Sequence, residues 1–179
     1  MSDITGTWAA EPSHSRVGFS VKHLGISTVH GEFGEFEGSL TVGEDGLAGA
    51  KLVGTVKVAS VDTKEEARDE HLRSADFFDA ENNPNITFES TSIAADGDDE
   101  FKVKGNLKIN GVTNEVELEA EVEGFETDPW DNQRVGLEVK GSISRGDFGM
   151  KFNQALGSGN VLVGDKVKLS LDISAVKQA

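Results

Sequence analysis

The chain has 179 residues, a formal net charge of −15 and no cysteine. That length suits one domain over residues 1–179 with a sizeable core. The acidity argues against nucleic acid or anionic headgroups as partners, and the missing thiols exclude disulfides and thiol chemistry.

Taken in chain order, the segment Met1-Ser2-Asp3-Ile4-Thr5-Gly6 has neither the basic nor the apolar region of an export signal. No apolar run approaches the roughly 20 residues of a membrane span. A soluble, cytoplasmic protein without an integral membrane segment is therefore expected. Alternation follows. Val17, Phe19 and Val21 share one face, as do Phe36, Leu40 and Val42, and then Leu52, Val56 and Val58. Period two is the signature of a half-buried strand.

Residues 63–79, TKEEARDEHLRSADFFD, break the pattern. Thr63 and Glu66 have capping-box spacing, with the threonine at N-cap. Glu65–Arg68 and Asp69–Arg73 have favourable helical spacing, and Ala67, His71, Leu72, Ala75 and Phe78 form a stripe. One short amphipathic helix is expected here, packed against the sheet with His71 on its buried side. Ile86 and Phe88 then resume the alternation.

Phe101, Val103, Gly105, Leu107 and Ile109 alternate with lysines and Asn106. Asn110-Gly111 follows, a pair that tolerates the positive φ of a two-residue hairpin turn. Val116, Leu118, Ala120 and Val122 then alternate with glutamates, so lysines face glutamates across the hairpin. Later sets are Val135, Leu137, Val139 and Ile143, then Val167, Leu169, Leu171 and Ile173. Glu44-Asp45-Gly46, Asp96-Gly97-Asp98 and Asp128–Asn132 supply turns. About eight strands result, each with one apolar face, and such a sheet must pack on itself or close. The expected fold is all-β, antiparallel, with one short helix.

Chemistry-bearing constellations are sparse. His14, His23, His30 and His71 lie on different predicted elements and lack metal-ligand spacing. No GxSxG or SxxK occurs. Asp147-Phe148-Gly149 matches three letters of a kinase motif but lacks every companion motif. No metal, cofactor or catalytic set is expected. The inward parity mixes phenylalanines with small residues, Gly54, Gly105, Ala120, Gly124 and Gly141. Such a pattern suits either a filled interior or an apolar lumen.

A set of ordered blocks bears on that choice. Trp8, His14-Ser15, Phe19 through Gly25 and Val29 through Phe33 are followed by Ser60 through Thr63 and Arg68 through Asp79. Pro84 through Phe88, Gly111-Val112-Thr113, Arg145 with Asp147 through Met150, and Val163-Gly164-Asp165 complete them. Together they resemble the YceI family of polyisoprenoid-binding proteins. The resemblance implies an eight-stranded, lipocalin-like antiparallel barrel with an elongated apolar cavity, holding a polyisoprenoid or isoprenoid quinone without catalysis. Homodimers occur in that family, so a homodimer is a candidate assembly. Asn83, Asn114-Glu115 and Leu137 depart from the family's usual residues, and the export signal common in the family is not expected from the Met1–Gly6 segment. The inward residues Phe19, Val21, Phe36, Phe88, Phe101, Leu118, Val139, Phe148 and Leu169 are the expected ligand-binding set. The alternative is an enzyme using the same cavity, with His23 or His71 as acid/base.

Overall fold

A computed structural model describes residues 3–179. Its elements are β1 (Gly6–Ala10), β2 (Arg16–His23), β3 (Ser27–Phe33), β4 (Phe36–Gly43), β5 (Gly46–Lys57), β6 (Val61–Asp62), α1 (Glu66–Arg73), β7 (Asn85–Ala95), β8 (Glu100–Ile109), β9 (Val112–Thr127), β10 (Gln133–Ser144) and β11 (Val163–Lys177). Short 3₁₀ turns occupy Pro12–His14, Val58–Ser60 and Arg145–Phe148. All pairings are antiparallel within one sheet.

The segments merge into eight staves. β1 and β2 form one stave interrupted at Pro12–His14. β3 and β4 form another, broken at Gly34-Glu35, and β5 and β6 a third, broken at Val58–Ser60. These creases lie side by side: Gly34 N–H donates to Ser60 O (3.2 Å) and Lys57 N–H to Glu35 O (3.0 Å). Each stave pairs with its neighbour in sequence, and β11 returns to the first. It pairs with β1 at Trp8↔Lys177 and with β2 at Phe19↔Leu169. The result is a closed, eight-stranded up-and-down barrel, which leaves no long open edge.

Local chemistry explains the joints. Asn110 and Gly111 take φ of 53° and 75°, the conformation a two-residue hairpin demands. The hairpin register sets Lys102 opposite Glu119 and Lys104 opposite Glu117. In the β9–β10 turn, Asp128 accepts from the N–H groups of Trp130 and Asn132 and from Arg134 Nε (2.8 Å). Arg134 also donates to Glu11, tying this turn to the first stave. Burial acts to raise the Asp128 pKa, but these hydrogen bonds outweigh it and hold the carboxyl below the usual carboxylate range.

The expected helix is shorter than its sequence pattern. It runs over Glu66–Arg73, and Thr63 is not its N-cap. Lys64 takes a φ of 68°, so the chain turns before the helix begins. Thr63 is instead buried at 4% exposure and donates both its N–H and its hydroxyl to Asp69 Oδ1. Arg68 is drawn to Thr63 and Arg73 to Glu66, so the expected Glu65–Arg68 and Asp69–Arg73 pairs do not form. After Ser74 the backbone leaves the helix, and Phe77 and Phe78 enter the core from an irregular turn. Ala67 and Ala75 of the expected stripe are exposed.

One parity is corrected by a bulge. Leu137 pairs with Val122 but Gly136 with Gly124, which makes Glu123 an extra residue in β9. The alternation flips there. Gly124 faces out, and Phe125 turns toward Trp8 in an edge contact, centroids 6.1 Å apart.

Candidate functional site

The inward faces do not meet. They enclose a cavity of about 650 Å³ that runs from Trp8 at one end of the barrel to α1 at the other. That volume lies within the roughly 300–1,000 Å³ of small-molecule sites. Phe19, Val21, Phe36, Phe88, Phe101, Leu118, Val139 and Leu169 all line it. Their alternation along straight strand segments carries them there, and cross-strand pairs such as Phe19↔Leu169 and Val139↔Ala120 build a continuous wall.

Phe148 does not line it. Residues 145–148 coil into a 3₁₀ turn, so strand parity stops at Ser144. Phe148 falls into a packed cluster with Val58, Phe78, Ile109 and Met150, at 1% exposure. Arg145 and Met150 reach the cavity in its place.

The inward glycines have two roles. A Cβ on Gly105 would lie 2.4 Å from the Phe88 ring, and one on Gly141 2.5 Å from a Leu118 methyl, so neighbours already occupy those spaces. Gly38 and Gly54, paired across β4 and β5, meet almost nothing and leave open volume along the wall.

Polar groups cluster at the helix end. His71 sits at the rim with its side chain 42% exposed, rather than on a buried face. It pairs with Asp76 at 2.9 Å, and its ring packs edge-on against Phe77 and Phe152, centroids 5.0 and 4.7 Å away. The Arg145 guanidinium also lies over Phe77, 5.9 Å from the ring centroid. Arg145 is 4% exposed. It donates to the carbonyls of Met150 (2.7 Å), Gly164 (2.8 Å) and Val163 (3.2 Å), stapling together the two ends of the 149–162 loop. Burial lowers the Arg145 pKa, opposed by the nearby Asp165. His23 borders the cavity from the end of β2. Neither His23 nor His71 stands in a hydrogen-bonded nucleophile–base–acid chain. Among the described residues, no group of three or more His, Asp or Glu converges to hold a metal, and no helix is long and apolar enough to cross a membrane.

Trp8, Phe33, Phe77, Phe152 and Arg145 also line the cavity and are missing from the sequence-derived set. Arg145, Phe77 and Phe152 lie on irregular segments where periodicity is silent. The signal that marks two of them is the pair of ordered blocks around Arg68–Asp79 and Arg145–Met150.

The model of the YceI-like domain matches residues 8–175. The chain belongs to the YceI-like family. Protein YceI of Escherichia coli O17:K52:H18 is 40% identical over 168 residues, covering 94% of this chain and 84% of that relative. Among solved structures, BcnA of Burkholderia cenocepacia superposes with a TM-score of 0.80 at 22% identity, over 92% of this chain and 98% of its own. A polyisoprenoid binding domain from Saccharophagus degradans gives 0.73 at 14% identity, over 96% and 98%. At such identities these two share the YceI-like barrel with this chain, and the shared architecture extends across the whole domain.

Proposed function

We propose that the protein is a non-catalytic binder and carrier of a long apolar molecule, a polyisoprenoid or isoprenoid quinone, held inside the barrel. The observation that carries this reading is the continuous apolar wall around a cavity of about 650 Å³. The binding domain from Saccharophagus degradans, described as polyisoprenoid-binding, supports it by likeness of fold. The driving force is desolvation. Burying a methylene is worth roughly 0.8 kcal/mol, so each five-carbon unit offers about 4 kcal/mol before ordering costs are subtracted. An elongated cavity suits a chain better than a compact solute, because it presents side chains along the chain's whole length. The carrier works from the cytoplasm, as a monomer or homodimer, in this reading.

Native mass spectrometry of freshly purified protein tests it, followed by organic extraction. The expected result is a bound isoprenoid or comparable amphiphile, or saturable uptake of farnesol by protein that has been stripped of lipid. Folded protein that takes up no long-chain probe would overturn the carrier reading. Turnover of an apolar substrate that disappears in His71→Gln, with binding retained, would replace it with the enzyme alternative.

A further inference from the structure

Asp and Glu make up 32 of the 179 residues, yet none occurs between Glu11 and Glu32, and none between Asp147 and Asp165. The fold lays these two acid-free stretches side by side. The first runs through β2, the turn at 24–26 and most of β3, and the second is the loop that leads into β11. Leu24 N–H donates to Leu162 O (3.0 Å), and Asn160 Nδ2 donates to Leu24 O (3.3 Å). Within the loop, Ala155 pairs with Val161 and Leu162 N–H donates to Gln154 O (2.9 Å), so 154–162 folds back as a small hairpin. Turn and hairpin are thus knit into one tip.

That tip is apolar on its outside. Four large apolar side chains stand exposed among the described residues, and two of them are here, Ile26 at 79% and Val161 at 42%. Ala155 is exposed beside Val161, and Leu24 and Leu156 are half-buried. A left-handed turn, with φ of 57° at Leu24 and 73° at Gly25, presents Ile26 to solvent. The charges within the two stretches are cationic. Lys22 stands on the second rung behind the turn and donates to the Thr28 hydroxyl (3.0 Å), and Lys151 lies at the start of the loop. Carboxylates return at the flanks, where Asp165 accepts from Ser144 and from Gly146 N–H, and Asp76 pairs with the His71 that packs on Phe152. The same segments open onto the cavity, since His23, Leu162 and Val163 line it.

A net charge of −15 repels lipid phosphates over most of the surface. At this tip a bilayer can be met without pressing a carboxylate against a phosphate. Apolar side chains that enter the acyl boundary, with lysines at the level of the headgroups, are the pattern of an interfacial anchor. Resting on the carrier reading, we propose that the tip built from the 24–26 turn and the 154–162 hairpin docks on the surface of a phospholipid bilayer, and that the apolar cargo passes between bilayer and cavity there. A long apolar chain leaves a cavity for water slowly, because every methylene must be rehydrated. Docking removes that step.

The rate at which cargo is handed over tests this. Protein loaded with tritiated geranylgeraniol is mixed with an excess of phosphatidylcholine vesicles, which are spun down at timed intervals. Release through water is set by dissociation from the protein alone, so its rate would not change with vesicle concentration. Transfer at a docked tip makes the rate rise in proportion to vesicle concentration, and that is the result expected. Ile26→Asp and Val161→Asp should each lower the slope by about tenfold or more, the effect of keeping one apolar side chain out of lipid. Both side chains are exposed and neither lines the cavity, so farnesol affinity in solution should be unchanged. A wild-type rate that stays flat with vesicle concentration would overturn the docking while sparing the carrier reading. A rising rate that both variants retain would overturn this tip as the docking surface. A wild-type dimer in sedimentation velocity that Ile26→Asp splits into monomers would overturn the bilayer in favour of a second copy of the chain. Protein that takes up no geranylgeraniol would overturn both readings.

Discussion

If the barrel is hollow where Ala120 stands and full where Gly105 stands, the larger substitution should do less harm. Ala120 lies on β9 opposite Phe101 and Val139, bordering the cavity. Ala120→Phe places a ring in volume that is otherwise open. We expect the delipidated protein to change in stability by less than about 1 kcal/mol, below the 1–3 kcal/mol typical of overpacking. Gly105→Ala adds one methyl only. Its Cβ would lie 2.4 Å from the Phe88 ring and 2.6 Å from the Glu89 carbonyl oxygen. The ring can swing into the cavity, but the carbonyl belongs to β7 and moves only with the sheet. Here we expect a loss of about 1–3 kcal/mol. With a slope of roughly 2 kcal/mol/M, that is a shift of about 0.5–1.5 M in the urea midpoint. Farnesol affinity should reverse the order. Ala120→Phe should weaken binding at least about tenfold, the burial of roughly two methylenes, while Gly105→Ala leaves it within a few-fold. Lipid must be removed first, since a bound ligand stabilises the wild type by mass action. A greater stability loss in Ala120→Phe than in Gly105→Ala, with farnesol binding unchanged, would refute the open cavity at this level.

Thr63→Ala should cost about 1–3 kcal/mol, measured by urea unfolding, because it removes a donor from the buried Asp69 carboxylate; Thr63→Ser should restore most of it. Phe148→Ala should cost about 3–5 kcal/mol as a packed-core deletion, whereas Phe101→Ala, on the cavity wall, should cost less and alter farnesol affinity more. Arg134 holds the Asp128 and Glu11 carboxyls below their ordinary values. A depressed carboxyl pKa stabilises the fold above its unfolded value near 4 and stops doing so as pH falls through the lower folded value. Arg134→Leu should therefore destabilise the protein at pH 7, and the gap to wild type, followed by thermal melts across pH 7 to 2, should close toward the acid end.

The alternation of Phe101–Ile109 and Val116–Val122 was legible in the sequence because those strands are straight and half-buried, and Asn110-Gly111 can form few turns other than the one observed. The same logic placed Phe19, Phe88 and Leu169 on the inner face. It failed where the backbone departs from regular pleating. Glu123 bulges and flips Gly124 outward, and the Arg145–Phe148 turn exchanges Phe148 for Arg145 at the cavity. Thr63 and Glu66 have the spacing of a cap, yet the left-handed Lys64 intervenes and a tertiary bond to Asp69 claims the threonine. Whether the interior was filled lay beyond periodicity, since Gly105 and Gly54 look alike in sequence while one is packed and the other faces space.

The seam between the first and last staves has a consequence for how the barrel is born. Every other pairing joins staves adjacent in the chain, and so forms as soon as both have been synthesised. β11 alone must meet β1, β2 and β10 together. On the ribosome, then, seven staves emerge as a growing curved ribbon whose two flanks, β1–β2 and β10, stay unpaired until the last segment is released. Exposed flanks of that kind recruit other chains. The hazard is greatest just before termination, and a stalled or clipped product lacking residues 163–177 would be an apolar-faced ribbon, aggregation-prone, rather than a slightly smaller barrel.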